Sequence, residues 1–307
     1  MAKSKHYRHK NGAMYLMLAP YLLLLFFFGI LPAIMGVLEV PKPSMANADG
    51  GWDAFSIVVQ DFRFAPAFRH VMGFMAMFVP LMIIFVIGMA LMLDIKPSPW
   101  KKWLRMAYIV PASISGAVAV LVWYVILQPT LSPIKGVLKW FNITESSQIW
   151  QQKNLVYILV VMAFFAAAGN WILIQYGSLQ SISTEILEAA RVDGCSVFQM
   201  ALRIKLPLIS KYIIYMSVLV FAGGLQIFVE PQLLNGGIYA GIADSWSFDQ
   251  LSYNLAFMQG DFGGASALSI LLLIPSLLGA LLVIFKTDMF EGATGHAKKK
   301  EVEIQGH

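Results

Sequence analysis

Six apolar stretches, each long enough to cross a bilayer as a helix, constrain this chain more than any other feature. The first reads MYLMLAPYLLLLFFFGILPAIMGVL from Met14 to Leu38. A hydrocarbon core about 30 Å thick needs about 20 consecutive apolar residues at the helical rise of about 1.5 Å. Runs of that length cover Met14 to Leu38, His70 to Leu93, Leu104 to Leu127, Leu155 to Tyr176, Pro207 to Val229 and Phe262 to Phe285. None alternates polar with apolar residues as a barrel strand does. Hydrophobic residues make up 58% of the chain and charged residues 13%, too little polar surface to coat a soluble globule. Lipid offers no partner for backbone N–H and C=O groups, so each span must satisfy its own as a helix. The sequence predicts an all-α polytopic membrane protein with six transmembrane helices.

Basic residues concentrate at the cytoplasmic ends of spans. Taking the amino tail as inside, Lys42, Arg63, Arg69, Lys135, Lys139 and Lys153 fall outside, and the other 16 of the 22 Lys and Arg fall inside. Both termini are therefore expected in the cytoplasm. This placement accounts for the formal charge of +5 without any nucleic acid. The basic start followed by an apolar run is shaped like a secretory signal, but the run is long for one and no A-x-A cleavage signal follows before Pro41, so it is expected to be retained. The expected organisation is a cytoplasmic basic tail over 1–13, a transmembrane domain over 14–290 and a cytoplasmic tail over 291–307. An external segment over 41–69 carries an interfacial helix around WDAFSIVVQDF, and a cytoplasmic loop covers 183–206. Lys298, Lys299 and Lys300 suit either a membrane-lipid contact or a solvated tail. Outside, Trp140, Phe141 and Trp150 suit interface anchors, and Glu230 to Asp261 holds no Lys or Arg.

Several function classes are disfavoured. The single cysteine, Cys195, permits no internal disulfide. No G-x-x-x-x-G-K-[ST] phosphate loop occurs, so ATP hydrolysis of that type must come from another polypeptide. The five histidines sit at ends and interfaces, which leaves no intramembrane metal set. A proton-coupled transporter needs carboxylates at mid-membrane depth. Asp94, Glu39 and Glu230 instead fall at span ends, where solvation explains them.

The cytoplasmic loop interrupts this lipid-like chain with EAARVDGCSVFQMALRIKLP, from Glu188 to Pro207. Ser183 or Thr184 can cap a helix and Glu185 favours its first turn. Gly194 ends it, Ser196 can cap a second short helix, and Pro207 suits the first turn of the fifth span, where its missing N–H costs nothing. Ala189 and Ala190 leave a low surface flanked by Glu188, Arg191 and Asp193. That surface suits docking into another protein. A pair of amphipathic helices lying at the membrane interface would explain Ile186, Leu187, Phe198 and Leu202 equally well.

The segment resembles the EAA signature of permease subunits of bacterial ABC importers, in which E-A-A is followed by D-G-A and then I-x-L-P. Glu188, Ala189, Ala190, Asp193, Gly194, Ile204, Leu206 and Pro207 match it, while Cys195 and Ala201 depart from it. LRMAYIVPASISGAVAVLVW, SLQSISTEILEAARVDG and DFGGASALSILLL are similar to further parts of the MalF-like sugar permeases. The G-G-P that commonly follows the fifth span is replaced by LLNGGIYAGIADSWSF.

The resemblance implies a type I ABC importer permease fold in a bacterial cell membrane and a sugar or oligosaccharide as substrate. It also implies a second permease subunit, expected to be a different chain, an ABC ATPase dimer and an extracytoplasmic solute-binding protein. ATP and Mg would bind the partner ATPase, leaving this chain without a cofactor and not itself an enzyme. The EAA helices would sit in a groove of the ATPase, Glu188 would meet a cationic residue there, and Gly194 would permit the tight turn. Along the substrate path, Asn170, Trp171, Gln175 and Gln226 offer amides and a stacking face, although bonds between helices explain each singly. A single-chain ion-coupled secondary transporter is the alternative from another class, and a structural membrane scaffold is a third.

Overall fold

A computed structural model describes residues 15–44, 46–95, 100–114, 116–236 and 243–286. The tails expected over 1–13 and 291–307 lie outside these residues, as do parts of the basic loop around Lys96 and of the outer segment around Tyr239. All regular elements among the described residues are helical. Five helices are long and apolar enough to cross a membrane, and a sixth span exists if one sharply bent pair is counted as one. The chain forms two compact units.

The first unit contains the described residues up to Asp61 together with Ser252 to Leu271. Its α1, Tyr15–Glu39, buries none of its apolar window inside the chain. Such a helix is hydrophobic on every face and suits lipid or another subunit. A short helix α2, Ala54–Gln60, stands where the external amphipathic stretch was expected. Val40, Ala54 and Ala267 form the core of this unit, with Phe55 and Ile270 packed on it. Gly263 makes this packing close, because a Cβ there would lie 3.2 Å from the Val40 carbonyl oxygen.

The second unit is organised on α3, Phe64–Asp94, and α6, Gln152–Gln180. Between them in sequence come α4, Trp100–Ala112, and α5, Gly116–Leu127. Val71, Phe74, Phe78, Met82, Val86, Ala90 and Leu93 are buried on α3 at spacings of three and four, which is one helical stripe. On α6 the matching stripe includes Leu155, Leu159, Ile172, Gln175 and Leu179. Phe85 meets Phe164 edge to face, with ring centres 4.8 Å apart. The helix α4 approaches α6 at Gly169, where a Cβ would lie 2.2 Å from the Tyr108 carbonyl oxygen.

The third span is not the single helix expected from Leu104 to Leu127. Met106–Ala112 and Gly116–Leu127 meet at 112°. Pro111 lacks an N–H for the helical ladder, and at the end of the helix the Ser113 hydroxyl donates to the Ile109 carbonyl at 2.9 Å, an oxygen that also accepts from the Ser113 amide at 3.0 Å. After the loop over 183–206, α8, Ser210–Leu225, is followed by α9, Val229–Gly236. The last span is α10, Phe262–Lys286.

Candidate functional site

The loop over 183–206 is built as helix, turn, helix. Its first helix, α7, runs Thr184–Val192. Ser183 is the N-cap, but its side chain makes no capping hydrogen bond, contrary to expectation. The chain reverses at Gly194, whose φ of +79° lies in the left-handed region that strains any residue with a Cβ. The Cys195 amide donates to the Ala190 carbonyl at 3.0 Å, closing the turn. Ser196 then caps the second helix as its sequence position suggested. Its hydroxyl accepts from the Gln199 amide at 3.2 Å, and the Gln199 side chain accepts from the Ser196 amide at 2.9 Å. The helical path continues through Val197–Gln199, a wide π-helical turn at Met200–Lys205, and Leu206–Leu208. Pro207 falls within this path, in the piece Leu206–Leu208, and not in the first turn of the fifth-span helix that begins at Ser210, so its missing N–H leaves one bond of the ladder unmade.

The segment has an exposed head and a buried foot. Glu188, Ala189, Asp193 and Gly194 are exposed, and so are Val192, Val197 and Phe198, the last with 71% of its surface free. Ala190 is buried against the chain itself and adds nothing to an open alanine surface. At the foot, Ile204 and Leu206 are half-buried, Pro207 is exposed and Ile209 is buried. Ala90 of α3, Leu179 of α6 and Ile209 form one cluster, joined by Tyr176, Leu206 and Tyr212. Lys205 pairs with Asp94 at the end of α3. Asp94 is thus not the solvated span-end acid that its position in the sequence suggested.

A cavity of about 390 Å³ opens elsewhere in the second unit. Its space comes from small residues, among them Gly116, Ala163, Ala166, Ala167, Gly223 and Gly224. Phe74 and Phe78, stacked with centres 5.0 Å apart, form an aromatic wall. Trp171 and Gln226 both line it, so two of the four path residues named from sequence come together. Trp171 is held edge to face by Tyr215. Gln175 is instead fully buried and donates to the Tyr212 carbonyl at 3.0 Å, bracing α6 against α8. Asn170 is exposed and absent from the residues lining the cavity. Glu230 lines the cavity and was missed. Its place near the end of an apolar run made it look like a solvated boundary charge.

No family model matches the chain. It is 26% identical over 269 residues to the diacetylchitobiose uptake system permease protein NgcF of Streptomyces coelicolor, covering 81% of this chain and 74% of that protein. It is 22% identical to the arabinooligosaccharides transport system permease protein AraP of Halalkalibacterium halodurans, covering 90% and 88%. Among solved structures, a chain of a bacterial ABC transporter involved in import of the acidic polysaccharide alginate superposes with a TM-score of 0.75. That match has 21% identity and covers 91% of this chain and 97% of the other. A second alginate transporter structure, in complex with its pentasaccharide-bound periplasmic protein, gives the same score at 20% identity, covering 92% and 94%. The shared fold, the repeated similarity to permeases over most of the chain, and the five or six apolar helices converge on one conclusion: this is a multi-pass membrane protein with the fold of ABC importer permeases, similar along most of its length to sugar permeases of that kind.

Proposed function

We propose that this chain is one of two permease subunits of an ATP-driven importer for a neutral sugar or oligosaccharide, with both termini in the cytoplasm. A second, different permease completes the membrane path, an external solute-binding protein delivers substrate, and an ATPase dimer holding ATP and Mg drives the cycle. The observation that carries this reading is the division of the 183–206 loop into an exposed head and a foot packed on the span ends. The head offers Glu188 and the edge of Phe198 to the ATPase, and the Gly194 turn sets the angle between its two helices. The foot passes the ATPase stroke to α3, α6 and α8, which alternates access to the cavity.

The sugar reading draws on the NgcF and AraP relatives and on the cavity wall. Trp171 presents an aromatic face for the C–H side of a sugar ring, and Gln226 and Glu230 offer polar groups to its hydroxyls. Among the described residues lining the cavity Glu230 is the only ionisable one, and no cation faces it. Any negative charge that this carboxyl carries disfavours acidic sugars through repulsion.

The test begins with the tagged chain purified in mild detergent from its host, followed by reconstitution of the co-purified complex into liposomes. ATP-dependent uptake of radiolabelled chito- or arabino-oligosaccharide, with no uptake of alginate oligosaccharide, is the expected result. A chain that purifies alone and accumulates sugar along an ion gradient without ATP would overturn the importer reading in favour of a secondary transporter.

A further inference from the structure

Asp94 is the last residue of α3, and it ties that helix to two other segments by charge and hydrogen bonding. One carboxylate oxygen, Oδ2, pairs with the Lys205 ammonium at the foot of the coupling segment. The other, Oδ1, accepts from Gln180 Nε2 at 2.6 Å, at the end of α6. Both side chains of the ion pair are largely withdrawn from solvent, with 14% of Lys205 and 9% of Asp94 exposed. Exposed pairs of this kind contribute little because water competes for both partners, whereas removing one member of a desolvated pair leaves a charge without compensation. The neighbouring residues Ala90, Leu179 and Ile209, from the same three segments, form an apolar cluster.

The position of Lys205 gives this contact a mechanical consequence. It is the last residue of the π-helical turn Met200–Lys205, which lies between the exposed head and the regular helix α8. Wide turns bond less regularly than α-helix and are natural places for a helix to deform. A push on the head would be absorbed there unless the far side of the turn were fixed. Asp94 and Gln180 fix it, one from each of the two helices that form the centre of the unit.

Resting on the importer reading above, we infer that Asp94 is a positioning residue. Its grip on Lys205 and Gln180 makes the foot of the coupling segment move with α3 and α6, so that the ATPase stroke reaches the substrate path instead of bending the turn.

The experiment uses the whole importer in liposomes and reads three quantities: subunit assembly, ATP hydrolysis stimulated by the binding protein, and sugar molecules taken up per ATP. Asp94→Asn, Lys205→Met and Gln180→Leu are expected to assemble and to hydrolyse ATP within about twofold of wild type, while uptake per ATP falls about tenfold for the first two and less for the third. Lys205→Arg should retain coupling. The exchange Asp94→Lys with Lys205→Asp should recover most of it, because the Gln180 amide can turn its oxygen towards an ammonium. Wild-type uptake per ATP in all three single variants would overturn the inference. So would loss of assembly that the exchange fails to restore, since the residues would then serve folding alone. A wild-type chain that carries no ATPase and takes up nothing with ATP sinks the importer reading itself, before any variant is compared.

Discussion

The two ends of α3 are held by different chemistry. At Asp94 the contact is ionic, with Lys205, and the same carboxylate accepts from Gln180. About 36 Å away along the helix, at the rise of about 1.5 Å per residue, the contacts are aromatic. His70 stacks on Trp246 with ring centres 5.4 Å apart and an angle of 7°, and Phe64 packs on Phe248 at 5.5 Å. Buried polar groups there serve the local turn. The Gln250 side chain accepts from the Trp246 amide at 3.2 Å and donates to Gln232 at 3.1 Å, and the Gln250 backbone amide donates to the Ser247 hydroxyl. An ionic contact can break and re-form as neighbours move, provided its partners travel together. A stacked indole packed on all sides has no such second arrangement close by. The difference separates an end suited to transmitting motion from an end suited to holding shape.

The aromatic end should therefore show the largest loss of stability. Trp246 is wholly buried, and its replacement by Ala removes the largest side chain of that cluster. A cost of about 3–5 kcal/mol is expected, read as a lowered thermal midpoint in detergent, with Trp246→Phe milder. At the ionic end, Ile209→Ala should cost about 2–4 kcal/mol, since Ile209 is 1% exposed between α3 and α6. If the two substitutions cost the same, or the order reverses, the contrast between the ends is wrong.

Much of this architecture is legible in the sequence because span-forming hydropathy is a property of consecutive residues. The six apolar runs, the change of composition at Glu188, the Ser196 cap and the Gly194 reversal all belong to that class. Relations across the fold are not legible in this way. Asp94 lies 111 positions from Lys205 and 86 from Gln180, so nothing near it announces its partners. Gln175 and Gln226 are the same residue type in spans, yet one braces a carbonyl and the other faces a cavity. That distinction depends on which way each helix is turned. The break at Ser113 had a local signal in the nearby Pro111, but a proline in a span is often tolerated, and only packing decides whether it bends the helix.

A smaller effect separates the head from the foot of the ionic end. Gly194 has no atom within 4 Å of a would-be Cβ, so any penalty at that position comes from its φ of +79° and not from crowding. Gly194→Val should cost about 1–2 kcal/mol, while Gly194→Asn, which tolerates the left-handed region, should cost less. Hydrogen exchange should locate the loss in residues 184–199 and leave the foot protected. Equal loosening of the foot would show that head and foot are one rigid unit.

The smallest effect returns to the aromatic end and depends on pH. Burial pushes the Asp249 carboxyl from its ordinary 3.8 up to about 6. The folded chain thus binds more protons than the unfolded one between those two values, and stability must fall as pH rises from about 4 to about 6. Above that window the folded protein holds a desolvated charge beside Phe248 and Gln250. Asp249→Asn removes the charge, so the variant should be more stable than wild type at pH 7.5, by about 1 kcal/mol once the partial exposure of this side chain is allowed for. At pH 4.5 the gap should narrow, because the wild-type carboxyl is then largely protonated. Thermal midpoints of both proteins across this range provide the measurement. Parallel curves would mean that Asp249 meets water freely, and that the aromatic end is less tightly closed than the burial of Trp246 and Gln250 implies.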